Sequence, residues 1–445
     1  MSQIFYVYRI VSLSKIVSLL MLSISFSLGL ISFNANAVTP SLSPKTYQAL
    51  NDIQALLTDN KFSEVEDGLN VLEENLTPGF GLALTYQIHA QLFLAQENSK
   101  QALNYFNKAL ALEAMKATQA VSLATNVAQL YLADSQVVEA ISVLQIRIEA
   151  AEKEKMGSTN SMAFITLGSA FQLKQDFKNA IVWLKRGIDR SKPPRENWLQ
   201  MLMAAYYQLK KYPEAISVLD QLIVINETKE EYWLQQASLQ QMLNKPKEAL
   251  KVLQLANVRN VLVKEDGLIL LVQLLITEGA PERAGRILQA LLKQKKIALN
   301  DENWKLLASA WLQSRERKQA IIAFINAAEY SLRLADKALK EKGDVKVNQL
   351  EARQEVAKLY YRSAQLQFDE SDFEGAVSSF AKARTLGLTG KKRGLSFLMQ
   401  GNAYFELEEY QNAKVYFSKA LEEPDSTNSA KAWLDYMQQL EVLKT

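Results

Sequence analysis

The sequence predicts an all-α protein built from repeated helical hairpins. The chain of 445 residues contains only 16 Gly and 9 Pro, so turn residues are scarce. The strong helix formers Ala, Leu, Gln, Lys and Glu are abundant, which favours helices over an all-β fold. One pattern of alanine and aromatic residues also recurs at helical spacing along most of the chain. A chain of this length exceeds the usual size of a single core, so we expect either several domains or an elongated repeat array.

Residues 1–37 read as an export signal. This segment carries Arg9 and Lys15 and no acidic residue, followed by the apolar run "IVSLLMLSISFSLGLISF". The sequence "ANA" at 35–37 has the small residues that signal peptidase requires, so we expect cleavage after Ala37. The alternative is an uncleaved anchor, because the apolar run is nearly long enough to span a bilayer.

The repeat is defined by a central alanine that is followed by Phe four residues later and by Ala seven residues later. Strong copies centre on Ala102, Ala320, Ala376 and Ala413, and a small residue stands twelve positions before each of them: Ala90, Ala308, Ala364 and Gly401. Weaker copies centre on Ala140, Ala180, Ala215, Ala249 and Ala284. Successive central alanines are 34 to 40 residues apart, except for one gap of 56. Two antiparallel helices can nest where one presents a small residue to a large side chain of the other.

The weaker copies depart from the pattern but stay apolar. Met203 and Val272 replace the small residue. Leucine replaces the aromatic residue at five positions: Leu144, Leu184, Leu219, Leu253 and Leu288. We therefore expect the same hairpin at each copy. The predicted organisation is a signal peptide at 1–37, a degenerate leading hairpin at 38–82, units 1–7 at 83–328, a helical insertion or hinge at 329–352, units 8–9 at 353–424 and a capping helix at 425–445.

The two ends of the array have their own signals. Ser43 is the expected N-cap of the first helix, with Pro44 at its first position. In the capping helix, Trp433, Leu434 and Tyr436 are expected to cover the last apolar face.

The pattern resembles the tetratricopeptide repeat over about residues 83–423. The resemblance is strongest at 301–328, "DENWKLLASAWLQSRERKQAIIAFINAA", and at 394–424, "GLSFLMQGNAYFELEEYQNAKVYFSKALEEP". It implies a right-handed superhelical solenoid of about nine or ten hairpins. With its export signal and phrases such as "ENWLQMLMAAYYQLKKYPEAISVL", the chain is similar to periplasmic tetratricopeptide proteins associated with TonB energy-transduction systems. That similarity implies a non-catalytic adaptor in the periplasm of a Gram-negative bacterium. It would assist TonB-dependent uptake of iron chelates and contact TonB, ExbB or ExbD.

In proteins of this family the first helix of each hairpin lines a concave groove that binds a protein or an extended peptide. The residues expected to line it are Gln129, Gln172, Gln200, Tyr207, Gln208, Gln235, Ser238, Gln241 and Gln273, with Gln87, Gln91, Thr125, Asn126, Ser169, Ser309, Gln313, Gln365 and Asn402 at further groove positions. Groove lysines and arginines are missing, which argues against a clamp for a peptide C-terminus. Amide groups can instead hydrogen-bond an extended backbone, with apolar pockets at Tyr207, Ile165 and Leu132. The alternative is that these glutamines are simply good soluble helix formers.

Composition argues against several other functions. The segment "YYQLKKYPEAI" at 206–216 interleaves aromatic and basic residues, but 51 basic against 48 acidic residues is too balanced for binding nucleic acid through phosphates. There is no cysteine, and the only histidine is His89, which we expect to be a packed core residue. No glycine-rich phosphate loop is present. We therefore expect no enzyme, cofactor or metal site, and membrane contact only through partners or an uncleaved anchor.

Two other functions remain as alternatives. One is a scaffold or chaperone-like factor for outer-membrane, polysaccharide or peptidoglycan assembly, because helical arrays serve many assemblies. The other is a glycan-cleaving enzyme, which would need a convergent acidic pair that the sequence does not show.

Overall fold

The protein folds as antiparallel helical hairpins. The computed structural model describes residues 42–154, 160–342 and 346–444, with side chains except at 335–342, 346–350 and 441–444. All regular structure in these ranges is helical, which confirms the predicted all-α hairpin solenoid. The predicted signal peptide, 1–37, lies outside the described residues. The chain divides into two compact units, the first ending at Asn226 and the second beginning at Glu227.

In the first unit, the described helices alternate between the first and second helix of each hairpin. They are α1 (Pro44–Thr58), α2 (Phe62–Asn75), α3 (Phe80–Ala95), α4 (Ser99–Ala111), α5 (Ala117–Ala133), α6 (Val137–Lys153), α7 (Ser161–Leu173), α8 (Phe177–Asp189), α9 (Glu196–Gln208) and α10 (Tyr212–Ile225). Each first helix packs against its own second helix, and first helices of neighbouring hairpins also touch at α1–α3, α5–α7 and α7–α9.

The second unit continues the alternation. Its helices are α11 (Glu230–Met242), α12 (Pro246–Val258), α13 (Glu265–Thr277), α14 (Pro281–Lys293), α15 (Asp301–Gln313), α16 (Arg317–Lys342), α17 (Lys346–Asp369), α18 (Phe373–Thr385), α19 (Lys391–Glu406), α20 (Tyr410–Leu421) and α21 (Thr427–Lys444). The extra residues in the gap between Ala320 and Ala376 lie in α16 and α17, which are 26 and 24 residues long.

Helix starts and turns follow local chemistry. The Ser43 side chain accepts a hydrogen bond from the Thr46 amide at 3.0 Å, and Pro44 occupies the first turn, as the sequence predicts. Between the two helices of a hairpin, one residue adopts the left-handed conformation. This residue is Gly279 in one hairpin, but elsewhere it is a larger residue such as Glu97 or Lys210.

Close approach of the paired helices is visible at the small residues. A Cβ added to Gly168 would lie 2.7 Å from Leu184 Cγ, and one added to Gly401 would lie 2.6 Å from Phe417 Cδ1. The leucines that replace the aromatic residue are all fully buried: Leu144, Leu184, Leu219, Leu253 and Leu288. The substitutions therefore keep the packing that the stronger copies show.

Helix α21 packs against α20. The Trp433 ring stacks on Phe417 at 5.2 Å and lies 5.2 Å from Phe405. Leu434 is partly buried in the same cluster. Tyr436 differs from the expectation because it is 47% exposed, while Met437, one helical position on, is the buried residue.

A buried carboxylate links two neighbouring hairpins of the second unit. Glu230 begins α11, and its two carboxylate oxygens each accept a hydrogen bond from the Lys264 amide at 3.2 Å, just before α13. Gly267 leaves the necessary space, since a Cβ there would lie 2.6 Å from Glu230 Oε1. Burial raises the pKa of Glu230, despite the amide hydrogen bonds that oppose the shift. The adjacent Glu231 pairs with the Lys264 ammonium group, which lowers the pKa of Glu231.

These opposite shifts predict opposite pH effects on stability. The pKa of Glu230 is raised in the folded protein, so its contribution to stability is present below the ordinary Glu pKa and is lost as pH rises through the folded pKa. The pKa of Glu231 is lowered, so its contribution is present above the ordinary Glu pKa and is lost as pH falls through the folded pKa. We expect Glu230→Gln to reduce the loss of stability as pH rises, and Glu231→Gln to reduce the loss of stability as pH falls. Urea unfolding between about pH 3 and pH 8 measures both profiles. Two variant profiles parallel to the wild type would contradict this account.

Candidate functional site: the polar face of the first helices

The predicted partner-binding residues all lie on first helices. In the first unit, α5 carries Gln129, α7 carries Gln172, and α9 carries the three residues Gln200, Tyr207 and Gln208. In the second unit, α11 carries Gln235, Ser238 and Gln241, and α13 carries Gln273. The apolar positions of each helix face its partners in the core, so these polar residues occupy the remaining surface.

Two of these glutamines join neighbouring hairpins. Gln129 Nε2 on α5 donates to Thr166 Oγ1 on α7 at 3.4 Å. Gln172 Nε2 on α7 donates to the Met201 carbonyl on α9 at 2.8 Å. Both side chains are partly buried, so their amides are used within the protein.

Three others present their amides to solvent. Gln208, Gln241 and Gln273 are exposed at the surface of α9, α11 and α13. Gln200, Ser238 and Tyr207 are partly buried, and the Tyr207 ring lies 6.0 Å from that of Tyr212.

Gln235 is intermediate between the glutamines that join hairpins and those that are exposed. Its side chain is partly buried, and the buried Oε1 atom has no hydrogen-bond partner in the described part of the chain. A buried acceptor without a partner lowers stability, so a donor that reached this atom would be bound favourably.

Some predicted groove residues lie in the packing instead. Gln87 is 7% exposed and donates to Met115 Sδ at 3.4 Å, and Thr125 is 6% exposed and donates to the Val121 carbonyl at 2.7 Å. Ile165 and Leu132 are also buried, so the expectation that they form apolar pockets in the groove is wrong. Gln87 and Thr125 are covered because neighbouring helices of the stack pack beside them, which spacing within one helix does not reveal.

The segment 206–216 is a helical corner. Tyr206 is partly buried on α9, Lys210 adopts the left-handed conformation in the turn, and Ala215 is buried on α10. Tyr206, Lys210 and Ala215 are therefore part of the hairpin and its turn.

His89 is a core residue on α3, as predicted. It is 1% exposed and its ring stacks on Tyr105 at 4.4 Å, so the imidazole is closed to a substrate. Burial lowers the pKa of His89, and the nearby Glu73 carboxylate partly opposes this shift. The His89 Nε2 atom lies 3.4 Å from Glu73 Oε2.

Sequence reasoning missed two acidic residues at the first turns of α11 and α13 that contact the next hairpin. Besides Glu230, Glu265 accepts hydrogen bonds from the Ala298 amide at 3.1 Å and from Asn303 Nδ2 at 2.8 Å. The only signal in the sequence is an acidic residue at a helix start, about one repeat length before the start of the next first helix. It is recognised once the hairpin sequences are aligned with one another.

Within the described ranges, no group of three or more His, Cys, Asp and Glu side chains could hold a metal ion. In the same ranges, no helix has the length and hydropathy needed to cross a membrane.

Comparison with known proteins supports the repeat. Residues 396–424 match the family model described as "Tetratricopeptide repeat", which confirms this repeat within the strongest predicted copy. No curated protein matches the chain. Similar solved structures include Naa15/Naa10 bound to HypK-THB, at 14% identity and a TM-score of 0.45, covering 85% of this chain and 58% of that chain. The present chain therefore spans little more than half of that relative.

Two bacterial structures are also similar. The C-terminal part of a TPR repeat-containing protein from Cytophaga hutchinsonii is 16% identical with a TM-score of 0.36, covering 63% of this chain and 95% of its own. A tetratricopeptide repeat protein from Parabacteroides merdae is 14% identical with a TM-score of 0.31, covering 66% of this chain and 99% of its own. Because these sequence identities and TM-scores are low, no statement about function follows from them.

The two kinds of glutamine predict different mutational effects. Gln172→Ala removes the hydrogen bond to the Met201 carbonyl and should lower the free energy of unfolding by about 1 kcal/mol. Gln208→Ala, on the neighbouring first helix, removes an exposed amide and should change it by less than about 0.5 kcal/mol. Urea unfolding compares the two, and equal effects would contradict the distinction between joining and exposed amides.

Proposed function

We propose that the protein is a non-catalytic adaptor that binds an extended segment of another protein along its first helices. The observation that carries this proposal is the presence of exposed amides on the first helices of each unit. Gln241 and Gln273 lie on the successive first helices α11 and α13 of the second unit, and Gln208 lies on α9 of the first unit. A side-chain amide both donates and accepts hydrogen bonds, as does the backbone of an extended peptide. Tyr207, next to Gln208, adds an aromatic ring to the surface of α9.

We further propose that the adaptor works in the periplasm and assists TonB-dependent transport. The export signal read at 1–37 supports the location. The resemblance of the repeats to periplasmic tetratricopeptide proteins of TonB systems supports the partner, which would be TonB, ExbB or ExbD.

Site-specific photo-crosslinking in the native cell tests this function. A crosslinking amino acid is placed at Gln208, Gln241 or Gln273, and at Gln221 as a matched control. Gln221 is also an exposed glutamine, but it lies on the second helix α10. We expect a TonB, ExbB or ExbD adduct at the first three positions and none at the control.

Two results would contradict the proposal. Adducts to envelope-assembly enzymes alone would favour a scaffold in assembly. Normal growth of a deletion strain under iron limitation would count against a role in uptake.

A further inference from the structure

A partly buried arginine lies between the last two hairpins. Arg384 on α18 donates from Nη1 to Ser396 Oγ at 3.0 Å and from Nη2 to Gln400 Oε1, both on α19. Its guanidinium carbon lies 4.3 Å from the centre of the Phe397 ring and 5.6 Å from that of Tyr416. Ser396 and Gln400 are themselves buried, so the position of Arg384 is fixed by the fold.

This guanidinium has no counterion in the part of the chain that the structure describes. Among the described residues, no carboxylate forms an ion pair with Arg384 or with Lys419, whose ammonium group lies 4.6 Å from the centre of the Tyr416 ring. The one carboxylate paired nearby, Glu423, contacts Arg393 at 3.2 Å. Burial lowers the pKa of Arg384 to about 10, because the charged form is poorly solvated there.

The first hairpins contain the same arrangement with the opposite charge. Glu73 is the twelfth residue of α2, as Arg384 is of α18, and Lys108 is the tenth residue of α4, as Lys419 is of α20. Lys108 lies over Tyr105, the counterpart of Tyr416, at 4.4 Å. There the charges are paired, because Glu73 lies 3.8 Å from the Lys108 ammonium nitrogen.

A charge at this position is unusual in the chain. The twelfth residue of the other second helices is Leu, Ile or Ala, with Asn257 as the exception. The twelfth residue of a second helix faces the next hairpin, where an apolar side chain is favourable. Glu73 is compensated by Lys108, but Arg384 lies near two further cations, Arg393 and Lys419.

We propose that Arg384 and Lys419 form a binding site for a carboxylate side chain from an acidic segment of a partner protein. The incoming carboxylate takes the role that Glu73 has between the first hairpins. Arginine has five N–H donors, of which Ser396 and Gln400 engage two, so donors remain for a carboxylate. The paired arrangement at Glu73 shows that this fold holds a glutamate carboxylate beside such a lysine.

This site is separate from the amide-bearing first helices of the proposed function. Its residues lie on α18, α19 and α20, whereas the exposed amides lie on α9, α11 and α13. Loss of acidic-segment binding can therefore be distinguished from loss of the adducts at Gln208, Gln241 and Gln273.

Fluorescence anisotropy with a fluorescein-labelled hexaglutamate peptide tests the site. Full-length wild type should bind the peptide, and Lys419→Gln should weaken binding about tenfold, because one charge-assisted contact is lost. Arg384→Glu, which restores the glutamate of the first hairpins, should abolish binding. Lys108→Gln removes the same charge at the same repeat position, where it is already paired, and should leave binding unchanged.

Several results would overturn the proposal. The first is that the wild type does not bind the peptide, and the second is that Lys108→Gln and Lys419→Gln weaken binding equally. The third is that inorganic phosphate displaces the peptide at a concentration no higher than that of the peptide. Lys419→Gln keeps the Arg384 hydrogen bonds, so its effect remains informative if Arg384→Glu fails to fold. Thermal unfolding of each variant identifies that case.

Discussion

The close approach of the two helices in each hairpin determines most of this structure. A small residue on the first helix, such as Gly168, lies directly against a large side chain on the second, such as Leu184. The contact fixes which face of each helix is interior. A single hairpin still has an uncovered apolar face, so the next hairpin must pack on it. Repetition of one local contact therefore accounts for the helical stack within each unit.

The same contact determines which side chains remain for binding. With the apolar positions used in the core, the first helices keep an amide-rich surface. Part of it is used again inside the protein, because Gln129 and Gln172 join neighbouring hairpins. The exposed remainder supplies the amides proposed to bind a partner, at Gln208 in the first unit and at Gln241 and Gln273 in the second. The contrast between Glu73 and Arg384 shows how one exchange at a repeat position can turn a structural ion pair into an uncompensated cation.

The hairpins could be predicted from the sequence because their determinants are local. The four-and-three spacing around Ala102 or Ala413 places apolar groups on one helix face, and Ser43 and Pro44 mark a helix start by their own chemistry. The turns were harder, since residues such as Glu97 and Lys210 adopt a conformation that usually signals glycine. That conformation closes the end of the preceding helix, where the Asn98 amide donates to the Phe93 carbonyl at 2.7 Å and the Lys211 amide donates to the Tyr206 carbonyl at 2.9 Å. The residue type at the turn does not announce it.

The candidate site was predictable only at the level of the helices that carry it. Gln87 and Gln208 look alike in sequence, yet one is buried and the other is exposed, because exposure depends on the neighbouring hairpin. The contact of Glu230 with the Lys264 amide likewise joins residues 34 positions apart. Such contacts follow from the register between hairpins, which residue spacing alone leaves open.

The most direct test of the central contact is the free energy of unfolding of Gly168→Ala. The added Cβ would meet Leu184 Cγ at 2.7 Å and the Leu184 backbone nitrogen at 3.1 Å, so we expect a loss of about 1–3 kcal/mol in urea unfolding. Gly81→Ala is the matched control, because Gly81 is also helical but its added Cβ would meet Leu42 Cδ2 at an ordinary 3.4 Å. It should be neutral or stabilising by up to about 1 kcal/mol. Equal stability of the two variants would contradict close helix approach as the basis of the fold.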